Sequence, residues 1–448
     1  MPAKGLIRML KKFISLLLAA VTLFGCAAVF TLGTSALEDP EISNAASAYL
    51  YNIENSQAIY EYKSKDSVFP ASTVKIMVGI IALESLADRL DEKVTITRDM
   101  LSEVSGNNIK LQVGEEVKIN DLIGALLVNG ANDAAYALAY TVSGNVDKFL
   151  QLMNSKAAEI GASATNYRNP TGMHDDKMTT TAEDTCNIAL YAYKNVPSFM
   201  DYASALKWTM EATNMRKAYT IYNRNCLLSL YYEDSYYYDK ARGMNAGSTY
   251  EAGYCVVTTA SGDVGGNTLT YLAVVMDAQS VNDTVYSYVN AKKLLDWAFD
   301  SYIYVDVLSP EQTICELPVT LATGIDYVTL VSKDSLRIYL PKDTNIEEDI
   351  SLTWCTDNGE SELQAPIEKG EEVGYVTAVY KDKSIGKSKL ITTADISRSD
   401  LLYTLYKIRQ FTKSRGFIGA LIAAIVLSIA YVLGSAYMRQ HRKKSRFR

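Results

Sequence analysis

The sequence predicts an α/β domain of the α+β kind, with helices and an antiparallel sheet, followed by a small all-β domain and one C-terminal transmembrane helix. Three observations carry this reading. Short strand-like runs from about Ala45 give way to amphipathic helical stretches and then to strands again, the order of an α+β domain. From Val305 to about Ile396 only short β-type segments remain, separated by Gly, Asp, Asn and Lys. Phe417 to Met438 is an uncharged, mostly apolar run of 22 residues, long enough to span a bilayer as one helix.

Taken in order, residues 1–36 carry Lys4, Arg8, Lys11 and Lys12 without an acid, then the apolar run Phe13–Gly33, then Thr34-Ser35-Ala36. This is a secretory signal cleaved after Ala36 or, because the run is longer than most signal cores, an uncleaved anchor. Residues 37–304 form the first domain. SAYLYNI and AIYEYK read as strands. SVFPASTVKIMVGIIALESLADRL has Pro70 just ahead of a helix whose Ile76, Met77, Ile80, Ile81 and Leu83 recur at near-helical spacing. INDLIGALLVNGANDAAYALAYTV reads as a helical region interrupted at Asn129-Gly130, and VDKFLQLMNSKAAEIGA as another helix. TAEDTCNIALYAYKNV opens from a Thr-x-x-Asp cap. The tyrosine run YYEDSYYYD fits a strand by propensity. CVVTTASG and NTLTYLAVVMDA are strands, and VNAKKLLDWAFDSYI is the closing helix. Residues 305–396 form the small β domain, 397–416 a connector, 417–438 the membrane helix and 439–448 a basic tail. That tail prefers the cytoplasm and so places residues 37–414 outside.

Composition excludes several functions. The 37–414 segment holds 33 basic and 51 acidic residues, a net charge of −18, which disfavours nucleic acid as a partner. Cys26 lies in the signal. Cys186, Cys226, Cys255, Cys315 and Cys355 are an odd set with neither zinc-site nor disulfide spacing, and read as buried small hydrophobes. His174 is the one histidine outside the tail, so a multi-histidine metal centre is excluded. No cofactor is expected.

A serine three residues ahead of a lysine at a helix start puts both on one face, where a desolvated amine can take the hydroxyl proton. The pattern occurs at Ser72/Lys75, Ser204/Lys207 and Ser384/Lys387. Ser384 lies in a polar stretch read as a turn and Ser204 in a polar-flanked segment. Ser72 follows Phe69-Pro70-Ala71 and precedes an apolar helix that would bury Lys75.

FPASTVKIM resembles the nucleophile motif of the serine D-alanyl-D-alanine carboxypeptidases, the low-molecular-mass penicillin-binding proteins. The likeness continues through TNYRNPTGMHD, NRNCLL, GMNAGSTYEAGYC and APIEKGEEVGYV, over roughly residues 40–400. It implies the β-lactamase/transpeptidase-like fold, a peptidoglycan stem peptide as substrate, β-lactams as covalent inhibitors, no metal, and a place at a bacterial cell membrane with the catalytic domain extracytoplasmic. It also implies Ser72 as nucleophile, Lys75 as base, and Asn132 orienting substrate or lysine. Asn245, Gly247 and Ser248 would bind substrate, with the N–H groups of Ser72 and Ser248 forming the oxyanion hole. Two motifs depart from the family. Gly130 stands where the family has the serine of Ser-x-Asn. Asn245-Ala246-Gly247 stands where it has Lys-Thr-Gly, whose lysine and threonine help bind the terminal carboxylate of the substrate. Arg242 is a candidate to restore the missing charge. The rival reading is a protein of the same fold that binds peptidoglycan, or acts as a scaffold, with impaired catalysis.

Overall fold

The computed structural model describes residues 39–445 and divides them into two compact units, one ending at Ile303 and including Pro341–Asp343, the other holding the rest. The first unit begins with β1 (Ala45–Asn52) and β2 (Gln57–Tyr62) and then turns to helices. These are α1 (Val74–Leu86), α2 (Ile119–Gly124), α3 (Asn132–Ser143), α4 (Val146–Ile160) and α5 (Ala182–Asn195). Three long strands follow, β3 (Ala241–Thr249), β4 (Gly253–Val264) and β5 (Asn267–Ala278), and α6 (Tyr286–Ser301) closes the unit. The sheet order is β2-β1-β5-β4-β3 and every neighbouring pair is antiparallel.

Alternation along β5 explains why the sheet is covered on both faces. Leu272, Val274 and Met276 join the helical core, while Tyr271 turns the other way and meets Phe299 of α6 edge to face. α1 is nearly apolar all round and is buried almost throughout, as the centre of the helical layer. Several boundaries follow from single residues. Thr181 accepts a hydrogen bond from the Asp184 N–H at the start of α5, the cap the spacing predicts. The break at Asn129-Gly130 is a π-helical turn, Ala125–Asn129, ended by Gly130 at φ +71°.

The second unit contains β6 (Thr313–Thr320), β7 (Tyr327–Ser332), β8 (Ile350–Thr356), β9 (Leu363–Gln364), β10 (Glu372–Tyr380) and β11 (Lys383–Thr392), in the order β8-β10-β11-β7-β6-β9. Leu317, Val328, Leu330, Val376 and Leu390 fill its main core. Ser384 belongs to β11 rather than to a turn. Two helices end the chain: α7 (Asp400–Lys413), capped by Ser399, and α8 (Arg415–Ser445). Within α8, Arg415–Arg439 is long and apolar enough to cross a membrane, by length and composition. The signal segment 1–36 lies outside the described residues.

The tyrosine run is not a strand. Residues 231–238 form turns and irregular loop, and their rings find other partners: Tyr231 stacks on Tyr222, at the end of the short strand Tyr219–Tyr222, at 3.6 Å and meets Tyr232 edge-on.

Candidate active site

Ser72 sits in a single 3-10 turn, Ala71–Thr73, that leads directly into α1. Ala71 has φ +45°, a conformation that costs a non-glycine residue energy and must be held from outside. The holding contact comes from the 169–172 loop. Asn169 Oδ1 accepts hydrogen bonds from the N–H of Thr171 and of Gly172, closing a tight turn. Gly172, at φ +83°, packs so closely that a Cβ there would lie 1.9 Å from the Ala71 carbonyl oxygen.

The same loop fixes the lysine. Lys75 is completely buried, and its Nζ donates to Ser72 Oγ at 2.9 Å and to the Thr171 carbonyl at 2.7 Å. Burial, with the Arg224 charge second, lowers its pKa to about 7. An amine that is partly neutral near neutral pH and hydrogen-bonded to a hydroxyl is the geometry of a general base on a nucleophile.

β3 brings the third element. It is the edge strand of the sheet, so one side of its backbone is unpaired and can receive an extended peptide. In its register Asn245 and Gly247 pair with Val257 and Cys255, which belong to the helical core, and so face the Ser72 side. A Cβ on Gly247 would stand 2.4 Å from Ser72 Cβ; glycine is what lets the strand pass the nucleophile. Asn245 is buried and its Oδ1 has no hydrogen-bond partner. Ser248 is exposed at the end of the same strand.

Asn132 starts α3. Its N–H donates to the Asn107 carbonyl and its Nδ2 to the Ser105 carbonyl, leaving Oδ1 buried and without a partner. The next residue, Asp133, caps a loop instead of entering the site: its carboxylate accepts the N–H groups of Ile109, Leu111 and Ala134, and burial raises its pKa. A Cβ on Gly130 would have one near neighbour, Asn107 Nδ2 at 3.8 Å. His174 lies with its ring edge-on to Phe69 and its Nε2 3.0 Å from Asp176 Oδ1, in the loop beside the site.

The structure thus brings Ser72, Lys75 and Gly247 into direct proximity, and leaves Asn132, at the start of α3, and Asn245, on the Ser72 side of β3, with one buried unpartnered acceptor each. Three contributors were not foreseen: the Thr171 carbonyl, Asn107 and Arg224. Arg224 Nη1 donates to Asn107 Oδ1 at 3.0 Å and its guanidinium lies over the Tyr232 ring. Its residue stretch, Asn223-Arg224-Asn225, was visible in NRNCLL, but nothing there says where the side chain points. Arg242 does not supply the charge; its Nη1 donates to the Asp239 and Ala241 carbonyls, and it lines a separate cleft with Ser204 and Leu206.

The family model for D-alanyl-D-alanine carboxypeptidases matches residues 34–280, more than half of the chain. The chain belongs to the D-alanyl-D-alanine carboxypeptidase family. Residues 307–398 match the C-terminal domain of penicillin-binding protein 5. Relatives in this carboxypeptidase family include DacF of Bacillus subtilis, 25% identical over 402 residues, spanning 88% of this chain and 96% of DacF. DacA of Haemophilus influenzae is 27% identical over 376 residues, spanning 82% of this chain and 88% of DacA. The crystal structure of penicillin-binding protein 5 from Haemophilus influenzae superposes with a TM-score of 0.58 at 24% identity, covering 81% of this chain and all of that one, and shows the shared fold.

Proposed function

We propose that the chain hydrolyses the D-alanyl-D-alanine end of peptidoglycan stem peptides through an acyl-enzyme on Ser72. Ser72 Oγ attacks the carbonyl of the penultimate D-alanine while Lys75 Nζ takes its proton. The C–N bond then breaks, the proton passes to the leaving amine, and water cleaves the ester to free the trimmed peptide and regenerate Ser72. The N–H groups of Ser72 and Ser248 receive the oxyanion, Asn132 orients Lys75 or the peptide, and the β3 edge holds the peptide backbone. Asn245 offers a hydrogen bond where the family carries a charge, which makes this end of the site the weaker one. The α8 span ties the protein to the membrane, and residues 37–414 face outside.

The observation that carries the reading is the buried Lys75 hydrogen-bonded to Ser72 Oγ. Full-length protein in detergent, incubated with excess benzylpenicillin and weighed intact, should gain one penicilloyl group that the Ser72→Ala variant does not. A folded protein that gains none after long incubation sinks the catalytic reading and leaves a peptidoglycan-binding scaffold.

A further inference from the structure

Resting on that reading, we propose that Arg224, clamped by Asn107, is the residue that recognises the terminal carboxylate of the substrate. It is a specificity-determining residue, which selects peptides ending in a free D-alanine acid over the same peptides with an uncharged end.

The chemistry of the reaction sets the requirement. A carboxypeptidase substrate carries an anion on the residue that leaves, and the 37–414 segment it meets has a net charge of −18. An anion entering such a field needs a cation at close range. Where β3 passes Ser72 it carries Asn245, Ala246 and Gly247, all uncharged. Lys75 must be neutral to act as the base. His174 has the carboxylates of Asp176 and Glu251 within 4.0 Å, and Arg242 lines the separate cleft.

Arg224 meets the requirement. It lines a cleft of about 320 Å³ together with Ala246, Gly247 and Ser248, the stretch of β3 that passes the nucleophile. It also stands close enough to Lys75 for its charge to act on that amine. Glu233 and Asp283 share the lining, yet among the described residues no acid forms an ion pair with the Arg224 guanidinium.

The side chain is set in place before a substrate arrives. Its backbone N–H donates to the Val128 carbonyl at 3.2 Å, its Nη1 donates to Asn107 Oδ1 at 3.0 Å, and its guanidinium carbon lies 4.9 Å from the centre of the Tyr232 ring. Asn107 is anchored in turn. Its Nδ2 donates to the Asn129 carbonyl at 2.7 Å, and its own carbonyl accepts the Asn132 N–H at 2.7 Å, which ties the clamp to the start of α3. Tyr232 and Tyr236 wall the cleft, with the Tyr236 ring 5.0 Å from that of Tyr288. Because Asn107 is an uncharged acceptor, the clamp leaves the positive charge intact. A guanidinium held at one nitrogen and stacked on a ring keeps its other N–H groups for an incoming carboxylate, with little left to order.

The test measures kcat/KM of the full-length enzyme in detergent for an N-acylated peptide ending in D-alanyl-D-alanine and for the same peptide ending in D-alaninamide. Both use the same base, so their ratio is insensitive to any effect of Arg224 on Lys75. We expect the acid to be favoured about tenfold or more, Arg224→Gln to lower that ratio about tenfold, and Arg224→Lys to keep part of it. Asn107→Asp, which sets a carboxylate against the guanidinium, should lower the ratio as Arg224→Gln does. Asn245→Lys added to Arg224→Gln should raise it again by returning a charge to β3. A ratio that Arg224→Gln leaves unchanged overturns the proposal, because Arg224 then acts through Lys75 alone, and so does a parent enzyme that shows no preference for the acid. A Ser72 penicilloyl adduct with neither peptide cleaved also overturns it. Absence of that adduct removes the reading beneath it.

Discussion

At the scale of the residue, the proposed chemistry depends on one amine kept out of water. Lys75 has no exposed surface and two acceptors, and its lowered pKa, about 7, follows from burial before anything else. In the proposed mechanism the base is the neutral amine, so acylation should rise as pH passes upward through about 7 and level off above it. Arg224 adds to the lowering. In Arg224→Gln the acid limb should therefore move to higher pH, on the order of half a unit to one unit, and an unmoved limb would show that burial alone sets it. Stopped-flow acylation by benzylpenicillin between pH 5 and 9 measures both. Stability carries the opposite signature. Because the folded state disfavours the charged amine, Lys75→Met should gain most relative to the parent below pH 7, and the gain should shrink as pH rises toward 10, read as the difference in Tm. Much of this was legible from Ser72, Lys75 and the apolar helix in which the lysine is buried. The Thr171 carbonyl was not, because a backbone acceptor has no sequence signal; its direction is set by the Asn169 turn and the left-handed Gly172.

At the scale of the element, the structure sets the start of α1 against the side of β3, and the proposed site adds the start of α3 with Asn132. Their separation is set by glycine more than by the groups that react. Gly247→Ala would push β3 off Ser72, since its Cβ falls 2.4 Å from that of the serine. A shift approaching 1 Å in a reacting geometry costs about a hundredfold. We expect acylation to slow by that order while the protein still melts cooperatively; an unchanged rate would mean that the strand does not set the nucleophile. The run GMNAGST showed in advance that something must approach closely here. The tyrosine loop was misread for the converse reason. Strand propensity reports how a side chain suits a pleated surface, and these rings instead satisfy one another and Arg224 in turns. Arg242 misled because it neighbours β3 in sequence, whereas Arg224 reaches the site from a separate segment.

At the scale of the molecule, the described residues fall into two compact units, the second of which ends in a helix able to span a bilayer by length and composition, and all the acidic residues of the sequence lie between positions 37 and 414. Ending the chain before Arg415 should move the protein from the membrane pellet to the soluble fraction. If the truncated chain stays in the pellet through carbonate washing, another anchor holds it, and the uncleaved N-terminal segment is the first candidate. The order of the domains was readable because hydrophobic period and turn residues change sharply near Val305 and again near Phe417. The placement of Arg224, Asn107 and the cleft walls was not, since it depends on contacts between segments far apart in the chain. One consequence reaches beyond the protein. Respiring bacteria export protons, so the wall next to the membrane is more acidic than the medium. With the catalytic domain outside, as proposed above, a base poised near 7 would be partly silenced while the cell is energised and released when the gradient collapses. Wall trimming would then report the energy state of the cell, and a protonophore should raise Ser72-dependent cleavage in intact cells without any change in the amount of enzyme.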